Sequence, residues 1–271
     1  MIKKFAAIFL FFISANAFAG NENIGGAASS NALGGASVCV SDLWSVQNNQ
    51  AGLANLKSME LGIFSERRYM LEQLSNNAAA FAMPTKLGTF AVNFSRFGYT
   101  QYNESKYGLA YAKAFGKNFS AGMQVDYLTM HLGDIYGNRS TFTVEAGIQA
   151  NIVKGLTVGV HIYNPNRAKT ATYNNERVPT IMRLGLKYDF SKKVFWSVET
   201  EKDIDHKAVF KSGVEYHIVK EFYIRGGFAT NPMVSSFGFG LELKNFKLDF
   251  YNSFHPQLGY TPGLSMNYKI K

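Results

Sequence analysis

The sequence is poor in residues that cross-link or interrupt a fold, with one cysteine and six prolines among 271 residues. Cys39 has no partner in the chain, which excludes a disulfide framework and favours a small buried residue. Few prolines leave the backbone donors of many strands intact. Beyond residue 19 of the sequence, no stretch approaches the roughly 18 consecutive apolar residues of a transmembrane helix. A helical membrane span is therefore excluded.

Patterns typical of catalysis and metal binding are also missing. None of the five histidines begins a His-x-Ser pair on one strand face, and they form no set with metal-ligand spacing. We therefore expect no enzyme, no metal and no cofactor. The formal net charge of +9 raises the question of nucleic acid, but the basic residues are dispersed and a secretory leader precedes them, so no nucleic-acid partner is expected.

The first 19 residues have the layout of a cleavable signal peptide. Lys3 and Lys4 precede an apolar run at 5–13, and Ala17-Phe18-Ala19 stands before Gly20. We expect residues 1–19 to be removed on export.

Alternation of apolar with polar or small side chains dominates the rest of the chain. In residues 118–129 the apolar series from Phe119 to Tyr127 faces one way, while Ser120, Gly122, Gln124 and Asp126 face the other. This period of two is that of a strand. Such segments are predicted at 58–66, 77–84, 88–97, 105–115, 118–129, 140–152, 155–163, 180–190, 193–201, 206–218, 221–230, 234–243, 246–253 and 261–270. Strands of about ten residues, tilted, span a bilayer, so residues 57–271 are predicted to form an antiparallel transmembrane β-barrel of about 14 strands.

The connections between these segments alternate between short and long, which predicts periplasmic turns and outer loops of a multi-pass barrel in the bacterial outer membrane. An even strand number returns the C-terminus to the side of the first strand, so both termini are expected in the periplasm. The last strand, 261–270, resembles the terminal signal read by the barrel-assembly machinery, although Met266 replaces a usual aromatic residue. Outer-membrane lipid and that machinery are therefore the expected partners. An aromatic girdle is predicted beside the short turns: Phe115, Phe119, Phe190, Phe195, Trp196, Phe222, Phe246 and Tyr268.

Predicted inward positions of the strands carry charges of both signs, which favours pairing across strands and packing around a plug over an ion-selective constriction. These candidate lumen residues are Asp126, Glu145, His161, Arg183, Glu199, Lys211, Glu215 and Arg225. Small residues on the same face, among them Gly147, Gly159, Gly185, Gly227 and Gly238, leave room for an insert or a narrow path.

Residues 20–56 break the alternation. They are rich in Gly, Ala, Ser and Asn, with Trp44 among scattered aliphatic residues. Such a segment is either a disordered leader or a plug. Because Trp44 and its aliphatic neighbours offer apolar surface to bury, we favour a compact insert inside the barrel.

The motifs of this segment resemble the N-terminal hatch of outer-membrane long-chain fatty-acid transporters and of the related PorV and PorQ proteins of type IX secretion. Those hatches typically read Gly-Gly-Ala, Asp and Asn-Pro-Ala-Gly-Leu. The matching positions are Gly34, Gly35, Ala36, Asp42, Asn49, Ala51, Gly52 and Leu53. Gln50 replaces the usual proline, which removes the rigid turn that proline supplies.

The resemblance implies a hatch-occluded barrel with a hydrophobic or amphipathic small molecule as its ligand. The leading hypothesis is passage of such compounds across the outer membrane. The alternative is a non-transporting scaffold with a secretion-system protein as partner, as in PorV and PorQ. An open diffusion porin is disfavoured by the mixed, glycine-rich lumen, and a secreted β-sandwich is the competing architecture.

Overall fold

A computed structural model describes residues 26–133, 137–169 and 177–270. The predicted signal peptide and residues 20–25 lie outside this range. Fourteen antiparallel strands form a closed barrel in which each strand pairs with its chain neighbours and β1 closes on β14. The strands are β1 Met59–Arg67, β2 Ser75–Pro84, β3 Thr89–Gly98, β4 Tyr102–Phe115, β5 Phe119–Leu132, β6 Gly137–Val153, β7 Leu156–Tyr163, β8 Ile181–Asp189, β9 Val194–Asp203, β10 Val209–His217, β11 Phe222–Ala229, β12 Val234–Leu243, β13 Phe246–His255 and β14 Gly259–Ile270. The predicted fold class is confirmed, and the sandwich alternative is wrong because the sheet closes on itself.

Three consecutive strands extend further than the rest. β4 and β5 have 14 residues each and β6 has 17, whereas the β6–β7 register begins only at Glu145 opposite Tyr163. Beyond this point Asn166 extends the pairing, since its Nδ2 donates to Phe142 O over 3.1 Å and its Oδ1 accepts from Val144 N over 3.3 Å. The long connection after β7 therefore covers part of an otherwise unpaired strand edge.

The outer surface of the barrel is apolar. Four outward rings at directly paired positions form an aromatic row, Phe94, Tyr107, Tyr127 and Phe142, with centroid separations of 5.1, 6.3 and 5.0 Å. Two residues further along each strand, toward the long connections, the outward side chains become polar: Asn77, Arg96, Ser105, Thr129 and Ser140. The change from aromatic to polar residues sets the level at which the apolar band ends, as at a membrane interface.

One residue of the predicted aromatic girdle departs from it. Phe195 is paired with the inward residue Glu215 and faces the interior, where Lys187 Nζ lies 5.1 Å from its ring centroid. In the described parts of the chain, no helix has the length and hydropathy needed to cross a membrane.

Residues 26–56, called the inner segment below, lie within the barrel. The segment contains two short helices, α1 Ala28–Ala32 and α2 Ser45–Asn48, and a 3₁₀ helix Gln50–Asn55. Between α1 and α2 the chain reverses at Gly34 and Gly35, whose φ angles of +67° and +80° favour glycine. The 3₁₀ helix forms without proline because extended Asn49 caps it, accepting from Ala51 N at Oδ1 over 3.2 Å.

Candidate functional site

The barrel wall meets the inner segment through glycines. A Cβ added at any of these positions would approach an inner-segment atom to less than 3.0 Å: Gly62, Gly122, Gly147, Gly159, Gly185, Gly213, Gly227 and Gly238. We call this set the glycine belt. Six of its members face each other across strands as the pairs Gly122–Gly147, Gly159–Gly185 and Gly213–Gly227. The backbone of the wall therefore touches the inner segment directly, with no room for a side chain between them.

Glu199 on β9 fixes the inner segment by its backbone. Its Oε2 accepts from the N–H groups of Ser37 and Val38, each over 2.9 Å. Lys211 Nζ lies 3.5 Å from the other carboxylate oxygen of Glu199 and 2.7 Å from Glu201 Oε2. Charge-assisted bonds of this kind are about twice as strong as neutral ones, so Glu199 is a principal anchor of the insert.

A second anchor lies on β6. Glu145 Oε2 accepts from Gln50 Nε2 over 2.7 Å and lies 3.0 Å from His161 Nε2. Its other oxygen, Oε1, accepts from Lys106 Nζ over 3.1 Å and from Gln124 Nε2 over 3.3 Å. Four side chains thus surround one buried carboxylate, and one of them belongs to the inner segment.

The opposite wall of the lumen holds a third charged group. Arg225 bonds Glu215 through Nε over 2.6 Å and Asp249 through a terminal nitrogen over 2.7 Å. Tyr223 OH donates to the same Asp249 oxygen over 3.2 Å. Nearby, Trp44 of the inner segment donates from Nε1 to Asn267 Oδ1 over 2.9 Å. The Trp44 bond ties the residue that precedes α2 to the last strand.

Two apolar clusters lie within the barrel. In one, the ring centroid of Phe64 lies 6.2 Å from that of Trp44 and 6.5 Å from that of Tyr251. The other consists of Leu128, Tyr163, Val178 and Ile181, in which Val178 belongs to the connection that precedes β8. Lys106 Nζ lies 5.7 Å from the Tyr163 ring centroid, so the second cluster borders the Glu145 group directly.

All eight candidate lumen residues face the interior: Asp126, Glu145, His161, Arg183, Glu199, Lys211, Glu215 and Arg225. Asp126 joins the Glu145 group because its Oδ1 accepts from Gln124 Nε2 over 2.8 Å, and Arg183 joins the Glu199 group because its Nε lies 2.7 Å from Glu201 Oε2. Among the motif residues, Asn49 bonds Val38 O through Nδ2 over 2.7 Å, and Gly34 lies against the Phe228 backbone. The motif positions Gly35, Ala36, Asp42, Ala51, Gly52 and Leu53 belong to the same inner segment.

Sequence reasoning missed three partners, Lys106, Glu201 and Asp249. All three lie inside predicted strands, at 105–115, 193–201 and 246–253. Carrying the alternation through the whole of each strand would have found them, as with Glu201, which lies two residues from the inward Glu199. No group of three or more His, Cys, Asp or Glu side chains in the described parts of the chain could hold a metal ion.

No protein-family model and no curated protein sequence matches the chain. Solved structures do. CymD, a monoaromatic hydrocarbon channel, is 11% identical, with 91% of this chain and 98% of that chain covered at a TM-score of 0.69. The Ralstonia pickettii toluene transporter TbuX is 11% identical, with 89% and 97% covered at 0.67. A Pseudomonas aeruginosa FadL homologue is 10% identical, with 87% and 96% covered at 0.63.

The chain has the fold of these barrels. At identities this low, the likeness concerns the fold. In fold, the expected resemblance to the fatty-acid transporter group is confirmed. The resemblance to PorV and PorQ stays a prediction.

Proposed function

We propose that the protein is an outer-membrane barrel that passes small hydrophobic or amphipathic compounds across the outer membrane, with residues 20–56 as its hatch and both termini in the periplasm. We infer that its part in the cell is transport and not catalysis. The names of the fold neighbours, a monoaromatic hydrocarbon channel and a toluene transporter, support this substrate class.

The observation that carries the proposal is the glycine belt. Because the inner segment touches the wall on β1, β5 to β8 and β10 to β12, it occupies much of the lumen at this level, and an open porin is disfavoured. A compound that dissolves in the membrane does not need such a path. The apolar cluster of Leu128, Tyr163, Val178 and Ile181 provides a surface that a hydrophobic compound can contact inside the barrel.

Uptake measurements test the proposal. A strain that lacks the gene is complemented with the native barrel or with an empty vector, and uptake of radiolabelled toluene is compared with that of a hydrophilic solute of similar mass. Faster entry of toluene alone, in cells with the native barrel, is expected. Equal toluene uptake in both strains, with the barrel folded in the outer membrane, would sink the transport proposal.

A further inference from the structure

A pocket of about 440 Å³ opens on the exterior of the barrel, at the end of β2 and β3 that bears the long connections. Ser75, Asn77 and Arg96 line it from the strands, and Tyr99 and Thr100 line it from the connection that follows β3. The pocket faces away from the lumen, so it is separate from the interior groups described above.

The register of the sheet fixes the direction of the key side chains. Arg96 is paired with Asn77 on one side and with Ser105 on the other. It lies two residues beyond Phe94, an outward member of the aromatic row, and therefore points outward as well. The Arg96 guanidinium consequently lies just beyond the apolar band, at the level where lipid headgroups meet a membrane protein.

The hydrogen-bond donors of this pocket, on Arg96 and Asn77, have few acceptors within the protein. Among the described residues, Arg96 has no ion pair or side-chain hydrogen bond. Asn77 accepts from Ser65 Oγ at Oδ1 over 2.8 Å, which leaves the two N–H groups of its amide as donors. The one carboxylate at the pocket, Glu72, lies 3.6 Å from Arg67, an outward arginine on β1. Glu72 therefore already has a cationic partner outside the pocket lining, and Arg96 is the one arginine that lines the pocket.

We propose that this pocket binds the phosphate group of a membrane lipid headgroup. The planar guanidinium of Arg96 matches phosphate oxygens with two parallel N–H donors, and the Asn77 amide adds a neutral donor beside it. Tyr99, which is 41% exposed, offers an amphipathic ring of the kind that settles at the boundary between headgroups and acyl chains. The inference rests on the membrane location within the proposed function but not on transport.

Binding of lipid to the purified barrel tests the assignment. The detergent-solubilised protein is titrated with diphosphorylated lipid A, with its dephosphorylated form and with inorganic phosphate, and native mass spectrometry gives the fraction with one lipid bound. We expect lipid A to bind and its dephosphorylated form to bind roughly tenfold more weakly, the scale of losing one charge-assisted bond. Millimolar inorganic phosphate should not displace the lipid.

Variants separate the pocket from general attraction to a basic barrel. Arg96→Gln should weaken lipid A binding roughly tenfold and Arg96→Lys less, because lysine keeps the charge but loses the fork of donors. Lys113→Gln is the matched control, since Lys113 is an exposed residue at the opposite end of the neighbouring strand β4. Heat-modifiable gel migration verifies that each variant is folded.

Two results would overturn the proposal. Equal lipid A affinity in Arg96→Gln and Lys113→Gln would show that the pocket is not the site. Displacement by inorganic phosphate would assign the pocket to the free ion instead of a lipid. Neither result depends on toluene uptake, so failure here is distinguishable from failure of the transport proposal.

Discussion

Gln50 of the inner segment donates from Nε2 to Glu145 Oε2 of β6 over 2.7 Å, and both side chains are fully buried. The hatch motif of the resembled families has proline at this position, which could not make the bond. Here the Asn49 side chain shapes the turn, and the residue after it is free to hold the wall. A local departure from the motif has thus become a tertiary contact.

Replacing Gln50 by Ala should destabilise the folded barrel by about 1–3 kcal/mol, because the Glu145 carboxylate loses one of its buried donors. The fraction of heat-modifiable barrel is measured against urea concentration in detergent. Gln101→Ala, at an exposed residue of the connection after β3, is the control and should leave the midpoint unchanged. Equal midpoints for the two variants would contradict an anchoring role for Gln50.

Gly122→Ala should disturb the contact between β5 and the inner segment. The added Cβ would lie 2.5 to 2.8 Å from backbone atoms of Gln50 and Ala51. Because backbone atoms cannot change rotamer, the clash is relieved only if the inner segment moves. We expect raised single-channel conductance in planar bilayers. Gly226→Ala is the matched control, because Gly226 faces outward and the new Cβ would lie 4.0 Å from its nearest neighbour, Ser236 O. Unchanged conductance of Gly122→Ala would mean that the inner segment can shift to accommodate the methyl group without opening a path.

The two tryptophans allow a paired test. Trp44→Phe keeps most of the apolar surface but leaves Asn267 Oδ1 without its 2.9 Å donor, so a loss of about 1–3 kcal/mol is expected. Trp196→Phe removes a bond of equal length to Ser212 on the outer surface, where the partner lies near lipid and not against the insert. Single-channel conductance should rise with Trp44→Phe only. A rise with both substitutions would show that the effect comes from a general weakening of the barrel wall and not from the inner segment.

Cys39 reports on the seating of the insert. Burial raises the pKa of its thiol to about 12, and the Glu199 carboxylate adds to the rise. The thiolate is the reactive form, so a water-soluble maleimide should label the native barrel hardly at all, with no acceleration between about pH 7 and 9, where an ordinary thiol with a pKa near 8.5 accelerates.

Two controls accompany the labelling. The barrel in concentrated urea should react at the rate of a free thiol, and the double variant Cys39→Ser, Ser41→Cys should react when folded, since Ser41 is exposed. Rapid labelling of native Cys39 would show that the inner segment spontaneously moves away from the barrel wall and exposes the thiol.

The strands were predictable because each one carries its own alternation of apolar with polar or small residues. All fourteen lie where that pattern predicts them. The ends of β4 to β6 were not predictable, since their extension beyond β7 depends on cross-strand pairing with each other. Phe195 is a different case, because alternation within its own strand already places it on the face of Glu199, four residues further on. Its position beside a short turn suggested the girdle instead, and the register with Glu215 agrees with the inward face.

The interior divides in a similar way. Inward charges such as Glu199 and Arg225 follow from alternation, and so does the glycine-rich face of the wall. Which charge meets which partner does not follow, because Ser37 reaches Glu199 across 162 residues of chain. Contacts of that separation are decided by how the insert is seated, and its short helices carry no periodic signal of their own.

The glycine belt makes the barrel and its insert a matched pair. The wall glycines fit particular atoms of this inner segment, such as the Leu33 backbone against Gly213 and Gly227 and the Asn49 side chain against Gly147. An inner segment transplanted from another barrel of the same fold would present different atoms at these positions and would not match the wall. Chimeras that exchange both parts together should assemble, whereas those that exchange one should not. The unit that can be moved between such proteins is therefore the barrel with its own insert.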